Sequence, residues 1–143
     1  MKSNIDDAVD CFNEGFNCSQ AILSAYCEEF GMDKKTALRL ACGFGAGMGR
    51  LQETCGAVTG AYMLFGLKYG KFTKGDEESK EKTYSMVMEF TSRFIKRNGT
   101  TSCREILGFN LLTEDKQKAK EKFSVICPKI VRSAAEIIEE IMY

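Results

Sequence analysis

The chain predicts an all-α, single-domain bundle of about six or seven helices, and three observations carry that reading. Apolar residues recur at intervals of three and four, strand-like alternation is hard to find, and glycines stand where the periodic segments stop. Ile5, Val9, Phe12 and Phe16 give a first stripe. A second helix runs from Cys18 to about Phe30 and stops at Gly31, and Asp33 caps a third that ends at Cys42, before Gly43. The stretch GFGAGMG reads as a loop. From about Glu53 to Tyr69 a very apolar helix forms the centre of the expected core, closed by Gly70. The longest helix is expected from Asp76 to Arg97, with Tyr84, Val87, Met88, Thr91, Phe94 and Ile95 on one face. Charges crowd its start, and Lys96, Arg97 and Gly99 end it. A short turn at 103–107, a polar helix from about Glu114, and a last helix carrying Ile130, Val131, Ala134, Ile137, Ile138 and Ile141 complete the bundle. No internal repeat, low-complexity segment or boundary divides it, so residues 1–143 read as one domain.

Composition excludes several partners. Apolar residues make up 44% of the chain and charged residues 28%, so 143 residues can bury a core without cross-links. Lysine plus arginine equals aspartate plus glutamate at 20 each, which leaves no global field for nucleic acid or an anionic membrane. The one basic cluster, Lys116 to Lys122, is interspersed with glutamate and reads as a solvated helix face. The start, MKSNIDDAVD, is acidic and has no apolar core, against a signal peptide, and the longest apolar run, Ala61 to Leu67, is too short to insert in a bilayer. Seven dispersed cysteines, an odd number, fit a reducing compartment better than a secreted disulfide framework, so the expectation is a cytoplasmic protein.

Four of the seven cysteines stand where a helix is about to start. Cys18 follows Asn17, with Gln20 three residues beyond that cap, and Cys103 follows Ser102, with Glu105 in the same relation. Cys55 opens CGAVTG after Thr54, and Cys127 precedes Pro128, a residue favoured in a first helical turn. Free N–H groups and the positive end of the helix dipole favour the thiolate there, the form that attacks disulfides and binds metals. Cys11, Cys27 and Cys42 fall inside or at the end of helical patterns, where cysteine behaves as a small apolar residue. The chain has no histidine, which removes Cys-His and Ser-His nucleophile pairs and histidine metal ligation. It also has no CxxC, so neither a thioredoxin-type dithiol nor a paired zinc knuckle is present.

Gly43, Gly45, Gly47 and Gly49 alternate by two, so GxGxxG fails and no GxxxxGK occurs, against nucleotide binding. The segment reads as a flexible turn, or as one whose bare backbone closely approaches the Cys55 thiolate or its substrate and offers spare N–H groups. Gly56 and Gly60, four apart, permit a close helix neighbour and leave space beside Cys55. Arg50, Glu53 and Glu105 lie close in sequence to Cys55 or Cys103 and read first as solvated or capping residues, with Arg50 an anion-holding candidate.

CGAVTG at 55–60, one cysteine well upstream and two isolated ones downstream resemble the C_GCAxxG_C_C family of redox-active proteins. The resemblance spans nearly the whole chain, and the cysteines it picks out are Cys18, Cys55, Cys103 and Cys127. It implies redox chemistry with no established reaction, and a possible link to a transporter, since such proteins are often encoded near transporter genes. Two functional readings follow. In the first, a thiol oxidoreductase or relay uses Cys55 as attacking thiolate, one of Cys18, Cys103 or Cys127 as resolving cysteine, and a partner protein or small thiol as reductant. In the second, Cys18, Cys55, Cys103 and Cys127 carry a metal, either an iron-sulfur cluster or zinc; no cofactor is required by the first. The plainest alternative is four cysteines buried as small hydrophobes.

Overall fold

The computed structural model describes residues 3–143, so Met1 and Lys2 of the acidic start lie outside it. Seven α-helices and no strand form among these residues: α1 (Ile5–Asn13), α2 (Cys18–Tyr26), α3 (Lys34–Ala41), α4 (Gly56–Tyr69), α5 (Glu77–Asn98), α6 (Cys103–Leu107) and α7 (Lys116–Met142). Short 3₁₀ turns at Cys27–Phe30 and Cys42–Phe44 finish the second and third patterns. The caps are those the sequence offers. Asn17 and Gln20 form a reciprocal box at the start of α2, while Asp33, Asp76 and Ser102 each accept from an N–H in the first turn of their helix.

Helix α4 is the centre of the core, with Ala57, Val58, Ala61, Leu64 and Phe65 fully buried. Its hydrophobicity all round is what a helix enclosed by others requires. It lies against α2, where a Cβ added at Gly60 would stand 3.0 Å from both the Ile22 Cβ and the Ser19 carbonyl oxygen. The two backbones therefore meet almost directly. On its other side α4 meets α5 through an aromatic cluster in which Phe90 packs edge-on to Tyr62 and Phe65 and stacks with Phe94. This cluster corrects the expected face of α5. Met86, Phe90 and Phe94 are buried, whereas Tyr84, Met88 and Ile95 are exposed, because the ring partners on α4 select one of several overlapping apolar stripes. The buried Tyr26 hydroxyl donates to Glu139 at 2.7 Å and the Asn4 N–H donates to the same carboxylate oxygen at 2.9 Å, tying the start of α1 to α2 and α7.

The C-terminal part brings a second correction. Where two helices were expected, α7 runs unbroken for 27 residues with Pro128 inside it. Cys127 therefore lies mid-helix and not at a helix start. Proline in a helix interior loses the bond to the carbonyl four residues back, here that of Ser124, and costs about 3 kcal/mol. The buried face formed by Ile130, Val131, Ala134, Ile137 and Ile138 offsets that cost, since each large apolar side chain removed from water contributes roughly 1.5–3 kcal/mol. No helix among the described residues is long and apolar enough to cross a membrane.

Pro128→Ala restores the missing N–H and should raise unfolding stability by about 1–3 kcal/mol in urea titrations. Were Pro128 the first residue of a separate helix, the same change would be neutral or destabilising.

Candidate functional site

The starts of α2, α4 and α6 converge. Thr54 and Ser102 form an isolated antiparallel bridge, flanked by bonds from the Cys55 N–H to the Thr101 carbonyl and from the Cys103 N–H to the Glu53 carbonyl, both 2.7 Å. Cys55 and Cys103 each stand one residue beyond that bridge, so they are diagonal neighbours on one face of it. The bridge also explains why α4 begins at Gly56 and not at Glu53: residues 53–55 are extended, and Cys55 is the N-cap. Cys18 enters from α2, where a Cβ added at Gly56 would stand 3.2 Å from the Cys18 Cβ.

The glycine-rich segment is a left-handed turn. Ala46, Gly47, Met48, Gly49 and Arg50 have φ of 55°, 63°, 68°, 60° and 72°, and Gln52 follows at 55°. Each non-glycine residue there costs about 1–2 kcal/mol relative to a right-handed conformation. Packing and hydrogen bonds hold the segment in place. A Cβ at Gly47 would fall 2.6 Å from the Gln52 Cα and 2.7 Å from the Cys103 Cβ, and one at Gly45 would fall 2.2 Å from the Asn17 side chain. The buried Gln52 amide donates to the Phe109 carbonyl at 2.8 Å and accepts from the Leu111 N–H at 2.7 Å, strapping the loop after α6 over the turn. The cysteine this segment approaches closely is Cys103, where the sequence reading has Cys55.

All four selected cysteines line one cavity of about 610 Å³, and Cys11, Cys27 and Cys42 do not. Cys127 reaches it from the middle of α7, past Phe123 and Ser124. The sequence did not single out the apolar walls, among them Phe12, Ile106, Leu111 and Ile130, nor Lys120 and Gln52. The apolar periodicity contained Phe12 and Ile130, but only the fold separates cavity wall from core.

Burial reverses the ionisation order expected from helix starts. The Cys55 thiol is pushed up to about 12 by desolvation, which outweighs the N–H groups of Ala57 and Val58 that face it. Burial and the nearby Cys127 push Cys103 to about 11 against the Gln52 amide and Arg104. Cys18 is raised well above the ordinary thiol range, first by the neighbouring Cys127 and then by burial. Cys127 is the exception: with Cys18 beside it and only half-buried, it lies below the ordinary thiol range. The two sulfurs influence each other's ionisation, and Cys127 is the one held lower. Burial also raises Cys11 and Cys27.

The four sulfurs share a cavity, yet no three histidine, cysteine, aspartate or glutamate side chains among the described residues are arranged to hold one metal ion. The donor set therefore does not fit zinc or a cluster in this arrangement, and no chemistry is derived through either.

Two outcomes test this geometry. Gly47→Ala has no room for its methyl and a backbone that resists it, so stability should fall by about 3 kcal/mol or more in urea titrations, or the protein should not fold. Limiting iodoacetamide at pH near 7 should label Cys127 before Cys18, Cys55 and Cys103, read by peptide mass spectrometry. The midpoint of that rate against pH should lie below 9 and move upward in Cys18→Ala, because removing the donated proton destabilises the thiolate.

Residues 16–141 match the profile of a family described as "Putative redox-active protein (C_GCAxxG_C_C)". No curated protein and no solved structure matches the chain.

Proposed function

The chain belongs to the C_GCAxxG_C_C family of redox-active proteins, and from that premise we propose that it is a thiol-disulfide exchange protein with Cys127 as attacking thiolate and Cys18 as resolving cysteine. The observation that carries this reading is one cavity lined by all four family cysteines, in which Cys127, beside Cys18, is the thiol held below the ordinary range. The attacking role assigned to Cys55 on helix-start grounds passes to Cys127, since a thiol near 12 is almost wholly protonated at neutral pH.

The Cys127 thiolate attacks one sulfur of a substrate disulfide. That S–S bond breaks, a mixed disulfide forms, and the first substrate sulfur leaves as a thiolate that takes the proton of Cys18. The Cys18 thiolate then attacks the Cys127 sulfur and expels the second substrate sulfur, which is protonated by water. Two electrons have passed from the protein dithiol to the substrate, leaving two substrate thiols and a Cys18–Cys127 disulfide. A small thiol or a partner protein's dithiol resets the pair. Cys55 and Cys103, adjacent across the bridge, form a second dithiol to which exchange transfers the disulfide when the first pair is oxidised again.

Mild diamide on the metal-free protein, followed by alkylation and peptide mapping, should give Cys18–Cys127 as the first link. Cys127→Ser should then abolish disulfide reduction, while Cys55→Ser lowers its initial rate less than about threefold. A first link between Cys55 and Cys103 with Cys18 and Cys127 still free, or undiminished exchange in Cys127→Ser, would refute the assignment.

A further inference from the structure

The exchange chemistry uses only the sulfurs of the cavity, and the rest of its wall has a composition of its own. Phe12, Phe16, Ile106, Leu111, Phe123 and Ile130 supply apolar surface. The charged side chains on it are Arg50, Lys120 and Glu14. All three are exposed, and none is engaged in an ion pair among the described residues, although nine such pairs form elsewhere on the surface. Two cations stand against one carboxylate and the Cys127 thiolate in a lining that also carries Asn13, Asn17 and Ser124, and once that sulfur is bound in a mixed disulfide the cations outnumber the carboxylate. Arg50 is also the last residue of the left-handed turn, at φ 72°, a conformation that glycine would adopt without strain. Strained backbone of this kind persists where the surroundings fix it, and it gathers at binding sites. At about 610 Å³ the cavity falls within the range of small-molecule sites, which combine apolar walls with a few polar groups that set orientation.

We infer that the cavity binds a small organic molecule with an apolar body and one anionic group, its body against the phenylalanines and its charge at Arg50 and Lys120. The disulfide substrate of the exchange reaction is a member of this class. That last step rests on the exchange reading, whereas binding of the anion does not. Glu14 disfavours a second negative charge, which separates this class from polar disulfides carrying several carboxylates.

Methanethiosulfonates test the inference, because they form a mixed disulfide with a thiolate and release methanesulfinate without needing a resolving cysteine. Rates at Cys127 are measured in a Cys42→Ser background, which removes the exposed cysteine, and each reagent is normalised to its rate with 2-mercaptoethanol. The 4-carboxybenzyl reagent should react faster than the uncharged benzyl reagent and at least tenfold faster than the cationic 2-(trimethylammonio)ethyl reagent. Arg50→Gln and Lys120→Gln should each lower the ratio of carboxybenzyl to benzyl rates by about three- to fivefold, and Glu14→Gln should raise it. Octanoate, which cannot exchange, should protect the cavity cysteines from iodoacetamide in the native protein and do so more weakly in Arg50→Gln. A preference for the cationic reagent, a ratio unmoved by the three substitutions, or no protection by octanoate overturns the inference. Diamide linkage of Cys18 to Cys127 with any of those results would leave the exchange reading standing without this substrate class. Protection by octanoate without that linkage would do the reverse.

Discussion

The molecule depends on how closely three helix starts approach one another. Gly45, Gly47 and Gly56 present bare backbone to Asn17, Cys103 and Cys18, and a methyl group at the first two would overlap atoms already in place. Through these contacts and the Thr54–Ser102 bridge, α2, α4 and α6 aim their first turns at one cavity. The core supports the arrangement from below, since Gly60 brings α2 against the same helix that carries Cys55 at its cap. Packing and chemistry are coupled here: the close approach of the backbones is what brings the four cysteines to one cavity.

Two electrostatic effects oppose each other on those sulfurs. A helix start offers N–H groups that favour a thiolate, while removal from water favours the thiol. At Cys55 both are visible and burial is larger, so the residue with the family's hexapeptide behind it holds its proton. At Cys127 no helix start helps, and the neighbouring Cys18 thiol does what N–H groups would have done. The site therefore contains one sulfur held below the ordinary thiol range among three held above it. In the exchange reaction proposed above, that asymmetry sets the order of events, attack beginning at Cys127 and resolution following from Cys18.

What was legible in the sequence was local. Asn17 with Gln20, and Ser102 with Glu105, mark helix starts by chemistry contained within four residues, so Cys18 and Cys103 were placed correctly. Pro128 carries an equally local signal for a helix start, but the buried isoleucines beyond it decide continuity, and a single residue's preference does not register their burial. The apolar face of α5 was ambiguous because Phe90 belongs to the core only by virtue of Tyr62 and Phe65 on another helix. Family resemblance picked out the four cysteines that line the cavity, and cap logic picked the same four, but at Cys127 for a reason the fold does not keep. Their ionisation order did not, since desolvation belongs to the folded environment and not to neighbours in the chain. The left-handed turn was hidden for a similar reason: Ala46, Met48, Arg50 and Gln52 have no intrinsic preference for it.

That turn has a stereochemical consequence. From Ala46 to Arg50 the backbone is close to the mirror image of an ordinary α-helical turn, with φ/ψ of 55°/39° at Ala46 and 63°/47° at Gly47. Glycine has no handedness, so Gly47 and Gly49 sit in such a turn without conflict, but Ala46, Met48 and Arg50 are L-residues in a shape that suits their enantiomers. A chain assembled by chemical synthesis with D-alanine at position 46 would place its methyl group where this backbone accommodates it best. The same inversion in the middle of α4 would break the helix. Within one protein of L-amino acids, the floor of the cysteine cavity is a short stretch whose preferred chirality is the opposite of the rest.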